Sequence, residues 1–92
     1  MAQPQVGHAT ITVGTSAILL FQAPTGSGQC NLYIDNEGGS KVYLGEASVT
    51  VSGDLEGYNL DNGQKLDMVF NGGEQLWAIS ASSSKVCLLW TI

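Results

Sequence analysis

The sequence predicts an all-β fold, an antiparallel and jelly-roll-like β-sandwich of about eight short strands. Apolar and polar residues alternate with a period of two over several short stretches, which is typical of strands with one buried face. Glycine, serine, asparagine and aspartate cluster between these stretches, and the chain contains 12 glycines. No stretch shows a sustained helical period. These observations favour a sandwich, a jelly roll or a small barrel.

Turn residues divide the chain into the individual strands. Residues 36–39 and 71–73 are rich in Asn and Gly, and we expect both to be tight hairpin turns. The first of these turns would make Tyr33 and Tyr43 a cross-strand pair. Polar residues 53–59 predict a loop. The predicted strands are 8–13, 17–22, 30–35, 41–44, 48–52, 65–70, 74–81 and 85–92.

The length of 92 residues allows one domain with a modest core. Residues 1–7 contain Pro4 and lack the strand pattern, so we expect a flexible N-terminal arm. Residues 8–92 then form a single β-sandwich domain. The first residues show neither a basic nor an apolar region, so no secretory signal is expected. The cysteines, Cys30 and Cys87, are therefore expected to be buried thiols, with a disulfide as the alternative.

Composition excludes several classes of function. The chain is 43% hydrophobic and 12% charged, which is too apolar for a disordered protein. Three lysines and no arginine face eight acidic residues, for a net charge of −5. This balance argues against binding to nucleic acid or to anionic lipid. The longest apolar run, residues 17–21, is too short to span a membrane.

Three predicted strands carry apolar residues on both faces, which one sandwich core does not explain. These strands are 17–22, 74–81 and 85–92. Either the fold closes as a barrel that buries both faces, or another subunit covers the second face. We favour a homo-oligomer, and Trp90 is expected in the core. The predicted subunit interface consists of Leu19, Phe21, Trp77 and Leu89.

No arrangement of residues predicts catalysis. His8 is the only histidine, it falls on the expected solvent face of the first strand, and no Gly-x-Ser-x-Gly segment is present. Two Cys and one His cannot complete a four-ligand zinc site. The acidic residues fall in turns, although Asp54 and Glu56 could assist a calcium ion. The expectation is a protein without catalytic residues, metal or cofactor. Aromatic residues could instead form a sugar-binding platform, the candidates being Tyr33, Tyr43, Tyr58, Trp77 and Trp90.

Three stretches resemble the small β-rich virion proteins of tailed bacteriophages, of the head-decoration or head-fibre type. They are residues 11–17 (ITVGTSA), residues 32–45 with LYIDNEGG followed by VYLG, and residues 72–80 (GGEQLWAIS). The resemblance covers roughly residue 9 to the C-terminus, and these stretches carry no catalytic signature. It implies non-enzymatic binding to the outside of an assembled capsid, commonly as trimers at symmetry axes.

The expected function is therefore a structural virion protein that decorates and stabilises a bacteriophage capsid. Its expected partners are the major capsid protein and further copies of itself, with a trimer favoured. It would be located on the capsid surface after assembly in the host cytoplasm. The candidate contacts with the capsid are Gln3, Pro4 and Val6 in the arm. The alternative is a glycan-binding or host-attachment module of a tail or head fibre, with Tyr58 and residues 53–62 as its site.

Overall fold

The computed structural model describes residues 6–26 and 28–91, which form eight strands and one turn of 3-10 helix. The helical turn, Gly53–Leu55, is far too short to cross a membrane, and the described residues contain no longer helix. The strands are β1 (Val6–Val13), β2 (Ile18–Gln22), β3 (Gln29–Gly38), β4 (Val42–Gly45), β5 (Tyr58–Leu60), β6 (Lys65–Asn71), β7 (Gln75–Ser80) and β8 (Ser84–Thr91).

The strands form two four-stranded antiparallel sheets. Sheet I has the order β1-β8-β3-β6, and sheet II has the order β2-β7-β4-β5. Successive strands pass from one sheet to the other, except between β4 and β5. This interleaved order of two four-stranded sheets is the jelly-roll topology. The predicted all-β sandwich is therefore confirmed.

The core lies between the two sheets and takes residues from all eight strands. Alternate residues of β3 and β8 point into it, as the period-two pattern predicts. Trp90 is half-buried and packs against the core, as expected. The buried apolar residues are Val13, Leu20, Phe21, Ala23, Cys30, Leu32, Ile34, Val42, Leu44, Val49, Leu60, Phe70, Leu76, Ala78, Val86 and Leu88.

The predicted hairpin turns at residues 36–39 and 71–73 are instead corners between the sheets. β3 and β6 lie in sheet I, whereas β4 and β7 lie in sheet II. Tyr33 and Tyr43 therefore belong to different sheets and do not form the predicted pair. At each corner the chain leaves one sheet and enters the other, so that the two flanking strands lie on opposite sides of the core. In a hairpin the two strands would be neighbours in one sheet.

A buried asparagine holds the first corner together. The side-chain Nδ2 of Asn36 donates to the carbonyl oxygens of Ser40 at 2.9 Å and Leu60 at 2.8 Å. Its Oδ1 accepts a hydrogen bond from Ser84 Oγ at 2.5 Å. Asn36 is fully buried, and these bonds join β3 and β8 of sheet I to β5 of sheet II. A buried polar group stabilises a fold only when it is satisfied in this way.

The segment that follows β4 differs from the prediction. Residues 48–52 form only a single parallel bridge, between Thr50 and Glu56, and the additional strand is β5. Val49 is buried, and a Cβ built on Gly57 would lie 2.5 Å from Val49 Cγ2 and 2.6 Å from the Leu44 carbonyl oxygen. The chain here folds back on itself as a compact loop, which a glycine at position 57 permits.

Phe21 does not lie on the outer face where the predicted interface placed it. A β-bulge between Leu19 and Phe21 shifts the register, so that Leu19 faces Trp77 while Phe21 faces Leu76. The bulge turns two consecutive residues, Leu20 and Phe21, into the core. The Phe21 ring centroid lies 5.5 Å from that of Phe70 and 5.3 Å from that of Trp90. Phe21 is a core residue, and its assignment to the interface is wrong.

The first strand begins earlier than predicted. Val6 pairs with Thr91 and Gly7 pairs with Trp90, so both residues belong to β1 rather than to an N-terminal arm. The β-sandwich therefore includes these two residues. The other two predicted capsid contacts, Gln3 and Pro4, lie outside the described residues.

Candidate assembly surfaces

An apolar stripe crosses the outer face of sheet II. Leu19 of β2 is paired with Trp77 of β7, and Ile79 of β7 is paired with Tyr43 of β4. Leu19 is 40% exposed, and the other three side chains are half-buried. We call these four residues the Trp77 stripe. Two of the predicted interface residues, Leu19 and Trp77, lie together in it.

Glutamine side chains border the Trp77 stripe. The indole Nε1 of Trp77 donates to Gln75 Oε1 at 3.1 Å, and Gln75 Nε2 donates to Gln22 Oε1 at 3.3 Å. These bonds hold the indole polar edge at the exposed side of the stripe. An indole fixed in this way offers a large apolar surface with little rotamer entropy left to lose on binding.

The outer face of sheet I carries a second, more polar surface. Leu89 of β8 lies at its centre, between His8 of β1 and Tyr33 of β3, and Tyr33 is followed by Asp67 of β6. Leu89 is 45% exposed and Tyr33 is 48% exposed. Leu89 therefore lies on the opposite side of the molecule from the Trp77 stripe. The structure divides the predicted interface between two outer faces and the core.

An open groove of about 570 Å³ runs along this face of sheet I. The ammonium group of Lys65 lies 3.8 Å from Asp35 Oδ2 in a solvent-exposed ion pair, which contributes little to stability. We call this feature the Tyr33 groove. The side chains at its surface are those of Tyr33, Asp35, Lys65, Asp67, Cys87 and Leu89.

The two cysteines point to opposite sides of sheet I. Cys30 is buried on the core side, whereas Cys87 is half-buried on the outer side, with its Sγ 3.6 Å from Glu37 Oε1 and 3.7 Å from Thr10 Oγ1. Neither cysteine is part of a disulfide. Because the sheet separates them, they cannot form a disulfide within one chain. The expectation of a buried thiol holds for Cys30 and only in part for Cys87.

The titratable residues are dispersed. His8 is exposed on the outer face of β1, as predicted, and Asp61 pairs with Lys41 at 3.6 Å. Across residues 6–26 and 28–91, no group of three or more His, Cys, Asp or Glu side chains gathers as metal ligands would. Asp54 and Glu56, the candidates for a calcium site, are both exposed in the loop that precedes β5.

The loop predicted as a glycan site contains an exposed aromatic residue. Tyr58 is exposed beside a small cavity of about 190 Å³, which Glu46, Ser48 and Glu56 also line. This cavity is one third of the size of the Tyr33 groove. Of the tyrosines, Tyr33 therefore faces the larger concave surface.

The four sheet edges differ in how they are protected. β2 is short and bulged, β5 has only three residues, and β6 presents Lys65 and Asp67. Short length and a bulge discourage pairing of β2 and β5 with other chains, whereas the two charges on β6 disfavour only a partner edge that carries like charges. β1 is eight residues long and contains no proline, lysine, arginine, aspartate or glutamate. The sequence did not predict that β1 is an edge strand, because a strand pattern carries no information about strand order in the sheet.

The chain matches no protein-family model and no curated protein sequence. It is similar to a solved structure from work on Bacillus endospore appendages, which are described there as a family of disulfide-linked pili. The TM-score is 0.62, the sequence identity is 10%, and the match covers 97% of this chain and 85% of that one. At this identity the two proteins share a fold, and the fold is one that a structural appendage protein uses.

Proposed function

We propose that this protein is a non-enzymatic structural subunit that decorates and stabilises the outside of a bacteriophage capsid. In this proposal it binds the major capsid protein and associates with copies of itself, with a trimer as the favoured oligomer. It assembles in the host cytoplasm and resides on the virion surface. The resemblance of three stretches to head-decoration and head-fibre proteins supports the phage assignment.

The observation that carries the proposal is the Trp77 stripe. Four apolar side chains lie side by side on the outer face of a sheet that already buries its other face in the core. None of the eight described strands forms a further layer over them, and contiguous, partly exposed apolar surface of this kind marks an interaction site. A sheet face with a central tryptophan is a form of surface that packs against another protein.

The low charge of the chain agrees with permanent assembly. A protein that circulates alone is usually kept soluble by abundant mixed charges, whereas this chain is only 12% charged. The similarity to an endospore appendage structure adds that this fold serves as an assembly subunit elsewhere.

The direct test measures binding and oligomeric state together. The chain would be incubated with purified capsids that lack decoration, and its co-sedimentation compared with that of Leu19→Asp. We expect Leu19→Asp to lose binding to the capsid, because it places a charge in the Trp77 stripe. The matched control is Thr25→Asp, which places the same charge at an exposed position after β2, outside the stripe and outside the glutamine hydrogen bonds that hold Trp77. Equal behaviour of both variants and the parent, or no binding by the parent, would refute the proposal.

A second candidate function is glycan binding, which the Tyr33 groove favours. An exposed tyrosine beside two carboxylates, Asp35 and Asp67, can stack on a sugar ring and accept hydrogen bonds from its hydroxyl groups. A glycan array would test it, with Tyr33→Ala expected to remove any signal. Tyr58→Ala serves as the comparison, since Tyr58 marks the loop predicted from the sequence. An array without hits would eliminate this candidate.

A further inference from the structure

The two edges of sheet I, β1 and β6, present long rows of backbone groups. They have eight and seven residues, against five and three for the edges of sheet II. Outside the sheet ladders, no backbone hydrogen bond among the described residues involves residues 6–13. In β6, only the carbonyl oxygen of Asn71 accepts such a bond. Unpaired edges of this length are templates for another strand.

We infer that β1 of one copy pairs with β6 of the next copy, so that sheet I continues from subunit to subunit. This inference rests on the proposed self-association and names the surface that performs it. The four strands of sheet I alternate in direction, so β1 and β6 run antiparallel to each other. A second copy placed beside the first therefore extends the antiparallel ladder with the outer faces on the same side.

Complementary side chains at the two edges support this pairing. One row across sheet I reads Val6, Thr91, Asn31 and Val69. Val6 at one end of the row is 68% exposed, and Val69 at the other end is 58% exposed. When the row continues into a second copy, Val69 lies beside Val6 of that copy. Each exposed valine then acquires an apolar cross-strand neighbour.

The adjacent row gives a polar match in the same register. It reads His8, Leu89, Tyr33 and Asp67. Its continuation places the Asp67 carboxylate beside the imidazole of His8 in the next copy, where the ring N–H can donate a hydrogen bond to it. One register therefore satisfies both rows. The charges on β6 meet an uncharged edge, so no like charges face each other.

Pairing of β1 with a second β1 explains less. A two-fold β1–β1 pair uses only one edge of sheet I. Val69 on the opposite edge, β6, then stays exposed. Pairing between β1 and β6 uses two different surfaces and is therefore head-to-tail. Head-to-tail contacts close into a ring when the rotation between subunits allows it, and otherwise continue as a filament. A three-membered ring would be the trimer of the proposed function.

Cysteine cross-linking tests the register. Val6→Cys and Val69→Cys would be introduced together in a Cys87→Ser background, which removes the half-buried thiol. We expect mild oxidation of the double variant to give covalent multimers, or one closed ring, on a non-reducing gel. Either single variant should give none. The matched control pairs Val6→Cys with Lys65→Cys, four residues along β6 and beyond the reach of a disulfide.

Charge substitution tests the same contact without cross-linking. His8→Glu should raise the concentration needed for self-association by about tenfold, the effect of roughly 1.4 kcal/mol. Adding Asp67→Lys should restore it. Thr12→Glu is the matched control, because Thr12 lies on the same edge in a row that β6 does not reach. Light scattering on size-exclusion fractions would give the masses.

The outcomes separate the inference from the proposed function. If the protein is oligomeric but the Val6–Val69 pair does not cross-link above the control, the β1–β6 contact is refuted and the structural role stands. If the protein is monomeric at every concentration, the contact is refuted. Capsid co-sedimentation then decides the proposed function by itself.

Discussion

Gly7 of β1 lies directly beneath the indole ring of Trp90 of β8, so that any side chain at position 7 would collide with the ring. Trp90 in turn packs on Phe21, whose centroid is 5.3 Å away. β1 can pack closely on Trp90 only because Gly7 has no side chain. This contact fixes the position of the edge strand that we propose for assembly.

Gly7→Ala should lower stability through this contact. The new methyl group must displace the indole or move β1, and such overpacking typically costs about 1–3 kcal/mol. The free energy of unfolding would be measured by urea denaturation with tryptophan fluorescence. Gly14→Ala is the control, since nothing lies within 4 Å of a Cβ at that position. Equal stability of the two variants would contradict the prediction.

The sequence predicted the layers of the fold better than its connections. The alternation of β3 agrees with the burial of Leu32 and Ile34, and the expected packing of Trp90 on the core agrees with the burial of Val86 and Leu88 on the same strand. The corners at residues 36–39 and 71–73 were predicted as hairpins, since the same Asn and Gly residues suit both kinds of turn. Sheet membership depends on contacts between distant strands, which local patterns do not encode.

The interface prediction failed at Phe21 for a related reason. Strict alternation in β2 would place Leu19 and Phe21 on one face, and the bulge at Leu20 breaks that alternation. Nothing local marks the bulge. Leu19 and Trp77 lie on the outer face, and their role in a subunit interface stays a prediction. The edge strand β1 was not identified as an edge, because strand order is a property of the assembled sheets.

Phe21→Ala and Leu19→Ala should therefore have different effects. Phe21 is buried against two aromatic rings, and its truncation leaves a cavity that costs about 3–5 kcal/mol. Leu19 is partly exposed, and its truncation should cost about 1 kcal/mol or less in the isolated subunit. Thermal or urea unfolding would measure both. A Leu19 variant that is as unstable as the Phe21 variant would place Leu19 in the core instead.

Asn36→Ala should be strongly destabilising. It removes two buried hydrogen bonds to the carbonyls of Ser40 and Leu60 and one from the hydroxyl of Ser84. Each buried polar group left without a partner costs about 1–3 kcal/mol. Asn59→Ala, at an exposed position of β5, is the matched control and should change the free energy of unfolding by about 0.5 kcal/mol or less. A mild effect at Asn36 would mean that the corner does not depend on this network.

The two thiols should react at different rates in the native protein. Cys87 is half-buried on the outer face, whereas Cys30 is fully buried. A thiol reagent should therefore modify Cys87 quickly. The second should react only after denaturation. Cys87→Ser should abolish the fast phase and leave the slow one. Two fast phases in the parent protein would contradict the placement of Cys30.

Deletion of residues 1–5 tests the proposed capsid arm, which contains Gln3 and Pro4. The deletion ends just before β1, so the unfolding free energy should remain within about 0.5 kcal/mol of the parent value. Co-sedimentation with capsids should fall sharply. A control in which Ala2 and Gln5 are changed to Ser keeps the length of the segment and both named contact residues, and it should bind as the parent does. Undiminished binding after the deletion would remove the arm from the proposed capsid interface.

The interleaved strand order also determines when a newly made chain can fold. β8 lies between β1 and β3, and β7 lies between β2 and β4, so the last two strands occupy the middle of their sheets. Val6 pairs with Thr91, and such distant pairings make folding slow. While β7 and β8 are still inside the ribosome, the emerged strands lack the neighbours that complete either sheet. The apolar faces of the earlier strands therefore cannot be fully buried in the core until β7 and β8 have been synthesised.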